Sequence, residues 1–163
     1  MFSTVYKNEV YPIDLSIAGT WMGHQQDVND LEVFQFKIGQ LQKQNPDKII
    51  AGGYLESRAM YTTASYNKIG NNGRESRSIH LGVDFWLPVG TFVHSLFDGE
   101  IVISVKKEGN KEYGGLIVLK HKIYNIEFYT LYGHLTLDCV EKKQVGGTIK
   151  KGECIGKLGD YPE

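Results

Sequence analysis

The second half of this chain is divided by turn dipeptides into short runs rich in Val, Ile, Tyr and Phe. The dividing dipeptides include Asp98-Gly99, Gly114-Gly115 and Lys151-Gly152. Short β-branched and aromatic runs with such boundaries are typical of strands joined by tight turns. The runs are Phe92–Leu96, Glu100–Lys106, Leu116–His121, Ile126–Leu135 and Glu153–Leu158. They predict a mainly β fold with a strongly curved antiparallel, barrel-like sheet.

The first half contains one clear helical pattern. Its apolar residues recur at three- and four-residue steps, at Leu31, Phe34, Ile38 and Leu41. Asn29 and Glu32 have the spacing of a capping box, and Asn45-Pro46 ends the pattern. We therefore predict one N-terminal α-helix over about residues 29–44.

The remainder of this half has weaker signals. Short strands are predicted at Ile49–Ala51 and Met60–Tyr66, and a loop at Ile69–Ser78. We therefore expect an N-terminal lead segment over residues 1–70, followed by a β-domain over residues 71–163.

Composition excludes several classes of partner. The chain has 163 residues and a formal net charge of −1. This balance gives no electrostatic reason to expect nucleic acid or an anionic membrane as a partner. The segment from Met1 to Leu15 lacks the apolar run of a signal peptide, so cytoplasm is the predicted location. Cys139 and Cys154 form no C-x-x-C pair and are predicted to be free thiols, with a single disulfide between them as the alternative.

His80 and Asp84 are candidate metal ligands, because imidazole nitrogen and carboxylate oxygen both bind zinc. On an extended strand their Cα atoms would lie roughly 13 Å apart, too far for one ion. Gly82, Val83 and Pro88 disfavour the helix that would bring them together. The metal hypothesis therefore requires a bend, which Gly82 permits. Taken alone, such a motif is more often an exposed polar pair.

Further motifs follow this pair in order along the chain. The series is His80-x-Gly82-x-Asp84, Pro88-x-Gly90-Thr91-x-Val93, Asp98-Gly99-x-Ile101, Thr130-Leu131-Tyr132-Gly133-His134-Leu135 and Gly147-Thr148-Ile149-Lys150-Lys151-Gly152-x-x-Ile155-Gly156. Over about Ile79 to Tyr161 the series resembles the catalytic domain of lysostaphin-type zinc metallopeptidases. The resemblance implies a strongly curved β-sheet of the duplicated hybrid motif type, with a narrow groove.

The same resemblance implies a metalloendopeptidase-like domain that hydrolyses a peptide amide bond with metal-activated water. His80 and Asp84 would be ligands of one Zn2+, and His134 a catalytic histidine near it. A strand histidine bonded to a neighbour is the structural alternative for His134. Tyr113 and Tyr132 are candidates to line a groove for a peptide or peptidoglycan-like substrate, although core packing explains them equally well.

In that family an H-x-H segment follows and supplies the third zinc ligand, but this sequence contains no H-x-H. A catalytic zinc usually has three protein ligands. We therefore expect a C-terminally incomplete domain with an incomplete ligand set and no activity of its own. The other histidines, His24, His94 and His121, are not expected to bind metal, and a structural or exposed role is expected for His121.

A second resemblance involves the N-terminal region. It rests on Ile13-Asp14-Leu15-Ser16, Tyr54-Leu55-Glu56-Ser57-Arg58-Ala59-Met60-Tyr61 and Arg77-Ser78-Ile79-His80-Leu81-Gly82. These segments are similar to the peptidase-like middle segment of multidomain class III aminotransferase proteins. The resemblance implies covalently linked kinase-like and aminotransferase domains as partners in a larger cytoplasmic polypeptide.

Two other functions stay open. The first is a non-catalytic binding or scaffold module of the same fold within such a multidomain enzyme. The second is a biotin- or lipoyl-carrier-like module, suggested by the glycine-bounded turn at Lys150-Lys151-Gly152. It ranks last, because carriers commonly place Met beside the modified Lys and none flanks these lysines.

Overall fold

The computed structural model describes residues 1–2, 9–21, 23, 29–58, 61, 66–107 and 112–160. The chain divides into an N-terminal unit, Tyr6–Leu87, and a C-terminal unit, Pro88–Glu163 together with Met1–Val5. Each unit has its own cluster of buried apolar side chains. The boundary between the compact units thus lies after Leu87. The domain boundary expected after residue 70 stays a prediction.

The N-terminal unit is built on a parallel strand–helix–strand arrangement. Strand β1 (Val10–Ile13) is followed by helix α1 (Leu31–Gln44) and strand β2 (Ile49–Gly52). β1 and β2 pair in parallel, which requires a crossover connection such as this helix. The core of the unit joins apolar residues of the helix and the strands, Ile13, Leu15, Phe34, Ile38, Leu41 and Ile50.

Helix α1 confirms the predicted helix, but its N-cap differs from the prediction. The cap is Asp30, whose carboxylate Oδ1 accepts the backbone N–H groups of Glu32 at 3.0 Å and Val33 at 3.2 Å. The capping-box assignment to Asn29 was therefore wrong by one residue. Both Asn and Asp are good caps, and two adjacent candidates cannot be separated by residue type. At the other end, Asn45 caps the helix as predicted.

Four short strands follow α1 and β2. They are β3 (Glu56–Ser57), β4 (Asn67–Gly70), β5 (Gly73–Ser76) and β6 (Ile79–His80). β4 and β5 form a hairpin closed at Gly70 and Gly73, so the loop predicted over residues 69–78 was wrong. The hairpin side chains are mostly exposed, and no buried alternation signalled the strands. The strand predicted at Met60–Tyr66 lies outside the described residues except for its Tyr61 and Tyr66.

The C-terminal unit contains a four-stranded antiparallel sheet in the order β11-β10-β9-β12. Its strands are β9 (Gly99–Lys107), β10 (Gly114–Ile123), β11 (Ile126–Leu135) and β12 (Thr148–Ile149). Register shifts interrupt both sides of β10, and such bulges increase the bend and twist of a sheet. The predicted mainly β fold with a curved antiparallel sheet is confirmed.

The remaining elements of this unit complete its core. β8 (Phe92–His94) pairs with β13 (Cys154–Lys157), and a short helix α2 (Leu137–Glu141), which was not predicted, follows β11. The buried cluster contains Val93, Ile101, Ile117, Leu119, Tyr132, Leu135, Val140, Ile149 and Ile155. No helix within the described ranges is long and apolar enough to cross a bilayer.

Candidate metal centre

His80 and Asp84 approach each other in the N-terminal unit. His80 ends β6, which pairs with β3 so that His80 lies opposite Glu56. Asp84 precedes β7 (Phe85–Trp86), and its backbone carbonyl accepts the N–H of Gly52 at 3.0 Å. The His80 Nε2 and Asp84 Oδ1 atoms are 3.6 Å apart. The two predicted ligands therefore face one another.

The chain bends at Gly82, as the metal hypothesis required. Glycine is not needed here for a left-handed backbone, because the φ angle of Gly82 is not positive. It is needed for space: a Cβ atom on Gly82 would lie 3.1 Å from His80 Nε2 and 3.2 Å from its Cε1. The imidazole ring lies over the bare glycine backbone, which allows its Nε2 to reach the side of Asp84.

The spacing of the two side chains suits a shared ion. Two ligands at about 2.0–2.2 Å from one tetrahedral zinc are roughly 3.3–3.6 Å from each other. The donor set, one imidazole nitrogen and one carboxylate oxygen, is also one that zinc accepts. The second ring nitrogen of His80, Nδ1, is buried and has no hydrogen-bond partner among the described residues. Two side chains fit the ion, but no group of three His, Cys, Asp or Glu residues forms in the described part of the chain.

A buried ion network lies behind Asp84. The side chain of Arg58 is 3% exposed and donates from Nη1 to Asp84 Oδ2. Its Nε and Nη2 atoms donate to Glu56 Oε2 at 3.0 and 2.7 Å. The sequence analysis quoted the segment that contains Glu56 and Arg58 but gave neither residue a role in the site. The charged residues around β3 were the only signal of an ion pair in this segment. A single sequence does not show which acidic side chain pairs with a buried arginine.

Electrostatics keep the centre suited to a cation. Burial lowers the pKa of His80 below its usual value of 6.5, and the opposing charge of Asp84 only partly compensates. A neutral imidazole at neutral pH has the lone pair that a metal requires. The Tyr61 ring lies 6.2 Å from that of His80, and burial raises the pKa of Tyr61 to about 12. Tyr61 thus remains a neutral hydroxyl beside the centre, a residue that the sequence analysis missed.

His134 belongs to the C-terminal unit, one residue before the end of β11. Its backbone has a φ of 55°, which is uncommon for a residue with a side chain. The backbone is held by two hydrogen bonds: His134 N–H donates to the Tyr113 carbonyl at 2.7 Å, and Gly159 N–H donates to the His134 carbonyl at 2.9 Å. The side chain is exposed. Leu55 and Tyr124 also have a positive φ, so the catalytic role of His134 stays a prediction.

The two candidate groove tyrosines have different environments. Tyr113 is 47% exposed, its ring centroid is 6.2 Å from that of His134, and a Cβ on Gly133 would meet it at 2.8 Å. Tyr132 is 6% exposed within the core cluster, and its hydroxyl has no hydrogen-bond partner among the described residues. Tyr113 is therefore placed to touch a ligand, whereas Tyr132 has the core environment that was its alternative explanation.

The other histidines and the cysteines have ordinary environments where they are described. His121 is 1% exposed, and its ring nitrogens lie 2.8 Å from the Asp98 carbonyl and 2.7 Å from Thr130 Oγ1, a structural role. His94 Nδ1 lies 3.2 Å from the Met1 carbonyl. His24 is outside the described residues. Cys139 and Cys154 are free thiols, as predicted.

Comparison with known proteins places this centre in a family. Residues 78–162, just over half of the chain, match the model of peptidase family M23. Over 81 residues the chain is 35% identical to the DD-carboxypeptidase/endopeptidase Mpg of Neisseria meningitidis serogroup B and of Neisseria gonorrhoeae. These alignments cover 50% of this chain and 16% of each relative, so the chain spans about a sixth of their length. No solved structure matches the chain. Since the family match covers His80, Asp84 and His134, and more than half of all residues, the chain belongs to peptidase family M23.

Proposed function

We propose that the chain is a zinc-dependent metalloendopeptidase-like domain in which His80 and Asp84 are two of the metal ligands. The observation that carries this proposal is the 3.6 Å separation of His80 Nε2 and Asp84 Oδ1 across the bend at Gly82. It agrees with a zinc pair in both distance and ligand type. The match to family M23 supplies the reaction class, peptide hydrolysis.

The residues of the chain have distinct tasks in this proposal. His80 and Asp84 would hold the zinc ion, which would supply a water of lowered pKa and a Lewis acid for the scissile carbonyl. His134 donates a hydrogen bond to the developing oxyanion or moves a proton to the departing amine. Tyr113, exposed beside His134, contacts the peptide, and the same role is proposed for Tyr132 only if its core position opens.

The proposed substrate is a peptide cross-link of the peptidoglycan type. The support is the name of the Mpg relatives, which are DD-carboxypeptidase/endopeptidases. The 16% coverage of those relatives makes their whole-protein activity a hypothesis for this chain. Another small amide is the second substrate that we propose. In that case the chain would lie within a larger cytoplasmic polypeptide, with linked kinase-like and aminotransferase domains.

We also propose that these 163 residues bind zinc weakly and do not hydrolyse peptides by themselves. Within the described ranges, His80 and Asp84 have no third metal-binding partner, and the sequence contains no H-x-H. Two ligands hold an ion less firmly than the three of a catalytic zinc site. Added imidazole, which can occupy the empty ligand position, should therefore strengthen zinc binding.

Zinc competition against a chromophoric chelator tests the proposal. The wild-type chain should take up one zinc ion, more tightly with imidazole present, and His80→Ala and Asp84→Ala should both abolish this uptake. His94→Ala is the matched control, because His94 lies on β8 and outside the centre. Zinc uptake that survives both ligand substitutions would remove the basis of the proposed metal site.

A non-catalytic binding or scaffold module is the second candidate. The observation in its favour is that Arg58 already neutralises one oxygen of Asp84, so the pair has a structural use without metal. The same titration separates the candidates. A wild-type chain that takes up no zinc even with imidazole would favour the module, and stoichiometric uptake would favour the peptidase.

A further inference from the structure

We propose that Arg58 is a positioning residue of the metal centre, and that Glu56 holds Arg58 in place for this purpose. The inference deepens the proposed zinc function and rests on it. In this role Arg58 fixes the orientation of the Asp84 carboxylate and thereby determines which carboxylate oxygen faces His80.

The orientation begins with the contact between Arg58 and Asp84. Arg58 Nη1 donates to Oδ2 of Asp84, and the other oxygen, Oδ1, faces His80 Nε2 at 3.6 Å. A carboxylate with one oxygen bound to a buried guanidinium cannot rotate freely. Asp84 is therefore set to bind a cation through Oδ1 alone, as a monodentate ligand.

The guanidinium itself is fixed from the opposite side. Arg58 Nε and Nη2 converge on Glu56 Oε2, at 3.0 and 2.7 Å. The second oxygen of Glu56 accepts the backbone N–H groups of Gly53 at 2.9 Å and Leu15 at 3.2 Å. The chain of contacts thus runs from rigid backbone through Glu56 and Arg58 to Asp84. Charge-assisted bonds of the planar arginine fork supply strength and direction together.

Backbone pairing also connects Glu56 and Arg58 to the strand that contains His80. Glu56 pairs with His80 across β3 and β6, and Arg58 N–H donates to the Ser78 carbonyl at 2.8 Å. β3 and the residue that follows it therefore carry the two positioning side chains, and the paired strand β6 carries the imidazole ligand.

The charges of the network also point to a cation. Glu56, Arg58 and Asp84 carry formal charges that sum to −1, whereas a purely structural pair of Arg58 and Glu56 would be neutral. Side chains of Arg58 and Glu56 are 3% and 9% exposed, and that of Asp84 is 31% exposed. The uncompensated charge therefore lies at the accessible end of the network, beside His80. A divalent ion at that point completes it.

Metal-free NMR spectra and zinc titrations of the full chain test this inference. Without metal, Arg58→Met should change the side-chain carboxyl 13C resonance of Asp84 and the ring 15N resonances of His80. With zinc, Arg58→Met should bind about 10- to 100-fold more weakly, the usual effect of removing a group that orients a ligand. Arg58→Lys keeps the charge but not the fork, so its affinity should lie between the two. Arg74→Met, at an exposed position on β5, is the matched control and should match wild type.

A second variant separates positioning from folding. Arg58→Met leaves Glu56 as an unpaired buried charge, which by itself destabilises a fold. Glu56→Gln combined with Arg58→Met removes this charge, and the double variant should remain folded but still bind zinc weakly. Wild-type zinc affinity in the double variant would overturn the inference.

The NMR and zinc measurements distinguish the positioning role of Arg58 from the zinc function. Unchanged Asp84 and His80 resonances in metal-free Arg58→Met would overturn the positioning role whatever zinc does. Absence of zinc uptake by the wild-type chain, with those resonances changed as expected, would overturn the zinc function and leave the orienting contact itself established.

Discussion

The imidazole of His80 lies against the backbone of Gly82, and the position of the ring depends on this contact. A Cβ atom at Gly82 would be 3.1 Å from Nε2, closer than nearly all real contacts of this kind. The ring would have to give way by a few tenths of an ångström. Because Nε2 is also the atom that faces Asp84, even a small displacement changes the distance on which a shared ion depends.

Gly82→Ala should therefore weaken zinc binding by at least about tenfold, the lower end of the range for changes beside a metal ligand. Chelator competition with and without imidazole measures this effect. Gly39→Ala is the control: it lies in α1 with no atom within 4 Å of the added Cβ. There alanine should raise the free energy of unfolding by roughly 0.5–1 kcal/mol and leave zinc affinity unchanged. Equal zinc affinity in both variants would show that the contact with the ring is unimportant.

The protonation of His80 gives a second prediction at this scale. Its pKa lies below 6.5 because burial disfavours the charged ring, so the unfolded chain binds this proton more readily than the folded one. The stability associated with neutral His80 is full above about pH 6.5 and is lost as the pH falls through the lowered pKa. NMR titration of the ring protons of metal-free protein should give a midpoint below 6.5 for His80. Asp84→Asn should lower that midpoint further, because the Asp84 charge raises it; a rise would contradict this account.

At the scale of elements, His121 joins the start of β9 to β10 and β11. It lies buried on β10, and its nitrogens contact the Asp98 carbonyl and the Thr130 hydroxyl. A Cβ on Gly99 would be 2.6 Å from His121 Nδ1, so the turn at Asp98-Gly99 and the histidine require each other. These polar contacts add to the packing of the His121 ring against Phe97 and Phe128.

His121→Phe should lower the free energy of unfolding by about 1–3 kcal/mol, the cost of leaving buried polar partners unsatisfied. Urea unfolding followed by circular dichroism measures the change. Zinc binding by folded protein should be unaffected, in contrast to His80→Ala, because His121 contributes only to structure. A variant as stable as wild type would mean that water replaces the imidazole at both partners.

Which elements the sequence predicted depended on their content of apolar and β-branched residues. β11 was predicted with its observed bounds, and β10 was predicted over its buried middle, because apolar and β-branched residues dominate both. The β4–β5 hairpin was missed since its side chains are exposed and carry no periodic signal. The two-residue strands β3 and β6 were missed because such short pairs are defined by their partners, which lie far away in sequence.

At the scale of the whole molecule, the family match at residues 78–162 includes residues of both compact units. His80 and Asp84 belong to the N-terminal unit, and His134 and Tyr113 to the C-terminal unit, although one family match spans them all. The ordered motifs predicted both sets of residues from the sequence, and their roles stay predictions. The buried Glu56–Arg58 pair was not identifiable, because a single sequence does not reveal which charges are paired in the interior.

The net charge of −1 allows a prediction about how the solubility of the protein depends on pH. With a sequence pI of about 6.5, the protein has little charge repulsion between copies near that pH. Solubility in polyethylene glycol should therefore pass through a minimum close to pH 6.5 and rise on both sides. Precipitation curves across the pH range measure it. A minimum displaced well to the alkaline side would indicate acidic groups that stay protonated in the fold.

The left-handed backbone at His134 has a consequence for how this protein would evolve under heat. Glycine or asparagine adopts that conformation more easily than histidine, so replacing the imidazole would relax the chain. Selection for thermal tolerance alone would therefore tend to discard the side chain at position 134. The catalytic role proposed for His134 would then be what keeps histidine there against the preference of its own backbone.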